Sequence, residues 1–191
     1  DGKALVPSGD NRYHAIFMNE GPAQFVNPSS LAPGLIALDA SLTVAGASGE
    51  RTVSAAEFFK IPASESEREY ALQPNEVLTS VVIPVKGLKN ATYEIRPRRG
   101  LDWPMVTASV SYAASGSSAS DARVVLGHVA PVPYVAAKAA AALNGANPSD
   151  AEAVKKVGAA AAEGATPLSQ NGYKVQQVKV AVRRAIAAAS A

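Results

Sequence analysis

Residues 105–129 read MVTASVSYAASGSSASDARVVLGHV. Two runs rich in β-branched residues, 105–113 and 122–129, flank the segment SGSSASD, whose small and polar residues favour a turn. Two more runs of the same kind precede them, at 76–83 and 91–96, and glycine, serine or proline residues separate all four. Short strands at this spacing are typical of an antiparallel sheet, so we predict one of four strands.

The composition changes after Pro131-Val132-Pro133, where an alanine-rich region begins. In this region we predict helices over about 134–143, 148–163 and 173–189. A group of strands followed by a group of helices indicates an α+β fold rather than a doubly wound sheet. The sequence therefore predicts an antiparallel sheet packed against C-terminal helices.

The last predicted helix has an apolar stripe at helical spacing, which we expect to face the core. The stripe consists of Val175, Val178, Val182 and Ile186. We expect the basic residues of this helix to lie away from the stripe, on a solvated face. These residues are Lys174, Lys179, Arg183 and Arg184.

Residues 1–62 contain a different set of short elements. The predicted elements are a strand at 12–17, a helix at 29–40 capped by Ser29 or Ser30, a hairpin of 42–44 with 51–53, and a helical turn at 55–59. The polar segment 61–69 has no periodicity and is the candidate boundary. We therefore predict two domains, 1–62 and 70–191, and expect the first to be a less stable appendage.

The composition excludes several classes of protein. A hydrophobic fraction of 48% with 18% charged residues is typical of a folded globular chain. The net charge of +2 is too small to indicate binding to nucleic acid or to an acidic membrane surface. Because the chain has no cysteine, it has no disulfides, no thiolate nucleophile and no cysteine-ligated metal site. It also has no apolar run of the roughly 20 residues that span a membrane.

The sequence carries no recognisable catalytic motif. Phosphate-binding loops, dinucleotide fingerprints and hydrolase or zinc-protease signatures are all missing. The two histidines, His14 and His128, each lie within a strand-like pattern, and we interpret them as packed or surface residues. We predict no catalytic residue and no metal ligand in this chain.

The loop Arg96–Pro104 is the most unusual stretch of the sequence. It joins three arginines to Asp102 and to Trp103, the only tryptophan. Guanidinium groups match phosphate or carboxylate, and a tryptophan can cover an aromatic ring, so the loop is a candidate binding site. The alternative is a surface loop in which Asp102 pairs with an arginine and Trp103 packs at the edge of the core.

Five segments in the same order resemble one known family. They are GDNRYHAIF at 9–17 with NPSSLAPGLIALDA at 27–40, LQPNEVLTSVVIP at 72–84, RPRRGLDWPMV at 96–106, VLGHVAPVPYVAAKA at 125–139, and PLSQNGYKVQQVKVAVRRAI at 167–186. Together they resemble the C-terminal portion of the FAD-binding, or medium, subunit of the molybdenum hydroxylases, the family of xanthine dehydrogenase, aldehyde oxidase and CO dehydrogenase. The resemblance implies the tail of a PCMH-type FAD-binding domain followed by a CO dehydrogenase flavoprotein C-terminal-like domain.

The resemblance also implies a function. Such a subunit carries FAD and passes electrons from iron–sulfur clusters to an external acceptor. The molybdenum cofactor belongs to a separate large subunit and the iron–sulfur clusters to a small one, in complexes of the cytoplasm or the periplasm. The glycine-rich loops that hold the FAD diphosphate in this family lie upstream of the segments matched here. We therefore expect this chain alone to bind FAD weakly or not at all.

At single positions, some residues match the family and others differ from it. Leu78 matches the leucine that lies beside the flavin in the family, whereas Ser30 replaces a usual aspartate and Glu94 a common lysine. Ala23 stands where a subgroup has a cysteine that binds an additional [4Fe–4S] cluster, so we expect no cluster here. The candidate cofactor contacts are Leu78, Ser30, Asp102 and Trp103.

Two other hypotheses remain open at this point. The chain could be a flavin-free assembly domain of such a complex, whose arginine-rich loop and basic last helix dock a partner subunit. The replacements at Ser30, Ala23 and Glu94 favour this alternative. An unrelated small-molecule binding domain is the third hypothesis, and the five ordered matches argue against it.

Overall fold

The computed structural model of the protein describes residues 5–64 and 66–191, in which seven strands and five helices are found. The strands are β1 (Ser41–Gly46), β2 (Gly49–Ser54), β3 (Val77–Val82), β4 (Lys89–Ile95), β5 (Val106–Ser115), β6 (Ser118–Gly127) and β7 (Tyr134–Val135). The helices are α1 (Ala32–Ala37), α2 (Ala55–Phe58), α3 (Ala137–Leu143), α4 (Ala151–Ala161) and α5 (Tyr173–Ser190). The strands form two separate antiparallel sheets.

The first sheet has the order β2-β1-β3. β1 and β2 form the predicted hairpin, with Gly49 in the left-handed region at φ 106°. The prediction that 76–83 joins the other three strand runs is wrong, because β3 pairs with β1, with Val81 opposite Leu42. Alternation along a strand sets which face is buried, but it does not specify the neighbouring strand.

The second sheet has the order β4-β5-β6-β7, and the three predicted strands within it are confirmed as β4, β5 and β6. Its central pair is the long β5–β6 hairpin, which turns at Gly116 with φ 58°. Tyr134 and Val135 were expected to begin a helix, and this is wrong. They pair with Leu126 and Val125 of β6 instead, which delays the helix to Ala137.

The three C-terminal helices cover one face of the second sheet. α5 packs on β4 and β5, α3 packs on β6, and α4 packs on both α3 and α5. Val178, Val182 and Ile186 of the predicted stripe are fully buried in this core. The α+β fold, with an antiparallel sheet against C-terminal helices, is thereby confirmed.

Helix α1 packs on the opposite face of the same sheet. The Ser111 hydroxyl donates to the carbonyl oxygen of Ala37 at 2.5 Å, and Ile36 packs in one cluster with Val125. The helix is shorter than the predicted 29–40. The hydroxyl of Ser29 accepts a hydrogen bond from the backbone N–H of Ala32 at 3.0 Å. This bond satisfies one of the backbone N–H groups that have no partner within the first turn of the helix.

The N-terminal segment is part of the second core. The predicted strand at 12–17 is wrong, because these residues form turns and bends. The backbone N–H groups of Ile16 and Phe17 both donate to the Val129 carbonyl, at 2.8 and 3.0 Å, instead of alternating between partners as in a regular strand ladder. Both side chains are buried, and the Phe17 ring stacks on Tyr134 with centroids 4.2 Å apart.

The division into domains 1–62 and 70–191 stays a prediction, and several contacts cross it. β3 pairs with β1, and Ile16 bonds to Val129. Asp39 forms ion pairs with both Arg123 and Lys86, each at 2.7 Å. Hydrogen bonds from Arg123, and secondly from Lys86, lower the pKa of Asp39 to about 2, which keeps this link charged.

Candidate functional site

A cavity of about 530 Å³ opens beside the loop between β4 and β5. Segments far apart in sequence form its walls: the N-terminal segment, the chain before α1, the β4–β5 loop, the turn after β6 and the first turn of α5. Its lining is mostly apolar. Tyr13, Pro28, Asp102, Trp103, His128 and Lys174 are the wall residues that matter for its chemistry.

Two hydrogen bonds to Asp102 connect residues on the loop side of the cavity. The Arg98 Nε donates to Asp102 Oδ2 at 2.9 Å, and Asp102 Oδ1 accepts from the Trp103 backbone N–H at 2.9 Å. The hydrogen bond from Arg98 is the main cause that lowers the pKa of Asp102. The sequence left open whether Arg98 or Arg99 pairs with Asp102, and the structure has Arg98 in this role.

Trp103 does not pack at the edge of the core. Its side chain is 66% exposed and lines the cavity next to Pro104. An exposed indole beside a mostly apolar cavity offers a flat surface to an aromatic ligand. The arrangement therefore suits a planar ring better than a charged group.

His128 lines the cavity, and both of its ring nitrogens have hydrogen-bond partners. Its Nε2 lies 3.2 Å from the Pro28 carbonyl oxygen and its Nδ1 lies 3.0 Å from Thr107 Oγ1. Since a carbonyl only accepts, Nε2 carries the proton and Nδ1 accepts from the threonine hydroxyl. Burial lowers the pKa of His128, so the ring is neutral at pH 7. These contacts support the interpretation of His128 as a packed residue.

Lys174 contradicts its prediction. It was expected on the solvated face of the last helix, yet the side chain is only 1% exposed. Its Nζ donates to the carbonyl oxygens of Tyr13 at 2.8 Å, His14 at 3.1 Å and His128 at 2.8 Å. Burial lowers the pKa of Lys174 to about 8. The ammonium thus ties α5 to two of the chain segments that line the cavity.

The sequence offered one signal for Lys174 and none for its partners. Lys174 lies four residues before the buried Val178, which places both on one helical face. The acceptors at Tyr13 and His14 are about 160 residues away in sequence, so no local pattern indicates them.

The remaining predicted contacts lie outside the cavity wall. Ser30 is exposed just before α1, and Leu78 is partly exposed on β3 of the first sheet. The structure therefore brings Asp102 and Trp103 together, but it does not bring Ser30 or Leu78 to the same cavity. His14 is half-buried and also lies outside the wall.

The part of the chain that the structure describes has neither a cluster of metal-ligating side chains nor a helix that could span a membrane. Residues 5–64 and 66–191 contain no group of three or more side chains suited to hold a metal ion. Over the same residues, no helix has both the length and the apolar character needed to cross a bilayer.

Comparison with known protein families covers nearly all of the described chain. Residues 21–86 match the family described as FAD binding domain in molybdopterin dehydrogenase. Residues 91–189, more than half of the chain, match the CO dehydrogenase flavoprotein C-terminal domain. The chain belongs to this flavoprotein family. The resemblance to FAD-binding subunits of the molybdenum hydroxylases is thereby confirmed.

Solved structures of three enzymes resemble the fold. Quinoline 2-oxidoreductase from Pseudomonas putida 86 shares 27% identity over 85% of this chain and 56% of its own, with a TM-score of 0.74. CO dehydrogenase from Oligotropha carboxidovorans shares 25% identity over 84% of this chain and 56% of its own, with a TM-score of 0.70.

The third is CO dehydrogenase from Hydrogenophaga pseudoflava lacking the Mo-pyranopterin moiety of its molybdenum cofactor. It shares 26% identity over 97% of this chain and 71% of its own, with a TM-score of 0.71. The flavoprotein family member described here spans little more than half the length of the first two chains.

Proposed function

We propose that this chain is part of the FAD-carrying electron-transfer subunit of a molybdopterin-dependent oxidoreductase of the aldehyde and xanthine dehydrogenase type. The observation that carries the proposal is the order of the two matched domains, a FAD-binding domain followed by the flavoprotein C-terminal domain. The subunit would pass electrons from iron–sulfur clusters to an external acceptor. Its partners would be a molybdenum-binding large subunit and an iron–sulfur small subunit.

The cavity at the β4–β5 loop fits the ring end of FAD. Its volume of about 530 Å³ is within the range of small-molecule pockets, yet it suits one ring system better than a whole dinucleotide. FAD supplies the redox chemistry when it is bound, and the protein contributes binding, orientation and electrostatics. Trp103 would cover the ring, and the Asp102 carboxylate, held by Arg98, would place a negative charge near it.

Leu78 and Ser30 are proposed as contacts to other parts of the cofactor. Leu78 offers an exposed apolar side chain on β3, and Ser30 offers a hydroxyl beside α1. Both lie in the region matched by the FAD-binding domain family, at residues 21–86. Their separation from the cavity is compatible with a long dinucleotide that touches more than one surface.

The test uses the full-length subunit with FAD bound. We expect Trp103→Ala to raise flavin fluorescence, because an indole stacked on the ring quenches it by electron transfer, and Trp103→Tyr to restore part of the quenching. Asp102→Ala should slow acceptor reduction by about tenfold if its charge positions or tunes the ring. The matched control is Leu101→Ala in the same loop, because Leu101 is fully exposed and does not line the cavity. Unchanged flavin signals in both cavity variants would reject this site.

A flavin-free assembly domain is the second candidate. Besides the replacements at Ser30 and Ala23, it is favoured by Glu94, which puts a carboxylate where the family commonly has a lysine and forms an ion pair with Arg96. The two candidates differ in the FAD content of the purified full-length subunit. Near-stoichiometric FAD supports the electron-transfer subunit, and absence of FAD supports the assembly domain.

A further inference from the structure

A second open groove, of about 860 Å³, runs along β4 on the side away from β5. Consecutive residues 92–96 of the strand and its following loop form one wall. Arg184 and Val180 of α5 form the other. The groove therefore follows the second half of β4 and the loop after it, so an extended chain could lie along it.

β4 is the edge of its sheet. It pairs with β5 over all seven residues, and within residues 5–64 and 66–191 no strand pairs with its other edge. Such an edge presents a row of backbone N–H and C=O groups that can pair with a further strand. Natural edges are often blunted by proline or a bulge, but β4 contains no proline and its pairing with β5 has no register shift.

Arginines give the groove a positive charge. Arg96 is paired with Glu94, Arg98 with Asp102, and Arg184 donates to the Tyr93 hydroxyl while its guanidinium lies 5.2 Å from the centre of that ring. Among the described residues, Arg99 forms no ion pair. Glu94 is the only carboxylate among the residues that line this groove in the described part of the chain.

We propose that β4 and this groove bind an extended, acidic segment of a partner protein by strand addition. Backbone pairing with β4 supplies affinity, and the arginines select carboxylates at the side-chain positions of the added strand. A free phosphate could also bind the arginines, but it would leave the backbone groups at the edge of β4 without partners. The inference goes beyond the proposed function because binding at this groove requires no flavin.

The probe is a fluorescent peptide of about ten residues that alternates glutamate with valine, which is long enough to pair with all 7 residues of β4. Binding to the protein is followed by fluorescence anisotropy, and the amides of β4 are followed by hydrogen exchange. We expect saturable binding together with added protection at residues 89–95. The same peptide with every backbone amide N-methylated should not bind, because neither of its edges can then donate hydrogen bonds to β4. Equal binding of the two peptides would overturn strand addition.

Arg99→Glu tests the charge, and the side chain is exposed in a loop, so folding should be unaffected. We expect about tenfold weaker peptide binding, because a like charge replaces an attractive one. Arg99→Lys should bind nearly as well as the native protein. Lys156→Glu, the same charge change on an exposed position of α4 outside the groove, is the matched control.

Other outcomes count against the proposal. Equal losses from Arg99→Glu and Lys156→Glu would mean that only the overall charge matters. No binding up to millimolar peptide would reject the site. Stronger competition by inorganic pyrophosphate or by a single-stranded oligonucleotide than by unlabelled peptide would reassign the groove to phosphate. Since none of these measurements uses flavin, their failure leaves the electron-transfer proposal untouched.

Discussion

Lys174 places a charge in the core, and three backbone carbonyls compensate it. Replacing it with methionine keeps the volume but leaves the carbonyls of Tyr13, His14 and His128 without this donor. Unsatisfied buried acceptors cost about 1–3 kcal/mol each. We expect Lys174→Met to lower the free energy of unfolding by about 2–4 kcal/mol in urea denaturation. Lys156→Met, on the exposed face of α4, should change it by less than about 0.5 kcal/mol.

The pH dependence of this difference gives a sharper readout. Below the folded pKa of about 8 the lysine is protonated in both states, and the cost of burying its charge applies in full. Between about pH 8 and the unfolded value near 10.4, the unfolded chain binds the additional proton. The stability of the native protein relative to Lys174→Met should therefore rise with pH, by at most about 1.4 kcal/mol per pH unit. A flat or falling difference would mean that the carbonyls hold the ammonium charged at higher pH.

Single residues show where sequence reasoning succeeds and where it stops. The composition of the β4–β5 loop selected Asp102 and Trp103 as candidates, and both line one cavity in the structure, while their contact with a cofactor stays a prediction. The burial of Lys174 follows a helical spacing that the sequence contains. The three carbonyl oxygens that accept from Lys174 cannot be predicted from the sequence, because they belong to turns that only the tertiary fold brings together.

At the scale of elements, the contact between α4 and α5 depends on Gly158. A Cβ at this position would lie 2.8 Å from the Lys179 carbonyl oxygen and 3.1 Å from Arg183 Cγ. Alanine favours a helix interior by about 1 kcal/mol, but forcing the two helices apart costs about 1–3 kcal/mol. We therefore expect Gly158→Ala to lower the free energy of unfolding by up to about 2 kcal/mol, measured by thermal and urea denaturation.

Gly172→Ala is the matched control for this prediction. Gly172 precedes α5 at φ −57°, and nothing lies within 4 Å of the position its Cβ would take. The same substitution should therefore be neutral or slightly stabilising there. If both variants gain stability, the helices can adjust to the methyl group and the contact is not close.

The strands and helices themselves were easier to predict than the pairing of one strand with another. The hairpin, the long strands and the two long helices follow from periodicity and turn residues. The pairing of β3 with β1 does not, because its valines suit any neighbouring strand and the choice depends on the whole fold. The strand predicted at 12–17 failed for a related reason: its apolar residues serve a core contact rather than a ladder.

At the scale of the whole molecule, the N-terminal residues before α1 pack into the core of the second sheet, although the sequence groups them with the first sheet. Ile16 and Phe17 lie in the large core under α5, whereas the first sheet has β3 as an exposed edge strand. The low stability expected for 1–62 should therefore apply to β1, β2 and β3, and not to residues 15–17. Native-state exchange resolves such differences, because each amide reports the free energy of the opening that exposes it.

Three sets of amides distinguish this arrangement from a simple division at 61–69. The Ile16 and Phe17 amides, bonded to Val129, should exchange with the same opening free energy as β5 and β6, since only global unfolding exposes them. The amides that join β1 to β3 should exchange through a smaller opening, because every residue of β3 is exposed. Phe17→Ala should lower the opening free energy of the β5 and β6 amides by about 3–5 kcal/mol, because it leaves a cavity in the shared core. If Ile16 and Phe17 exchange together with β1 and β3 instead, the N-terminal segment belongs to the first sheet and the predicted boundary separates the two units.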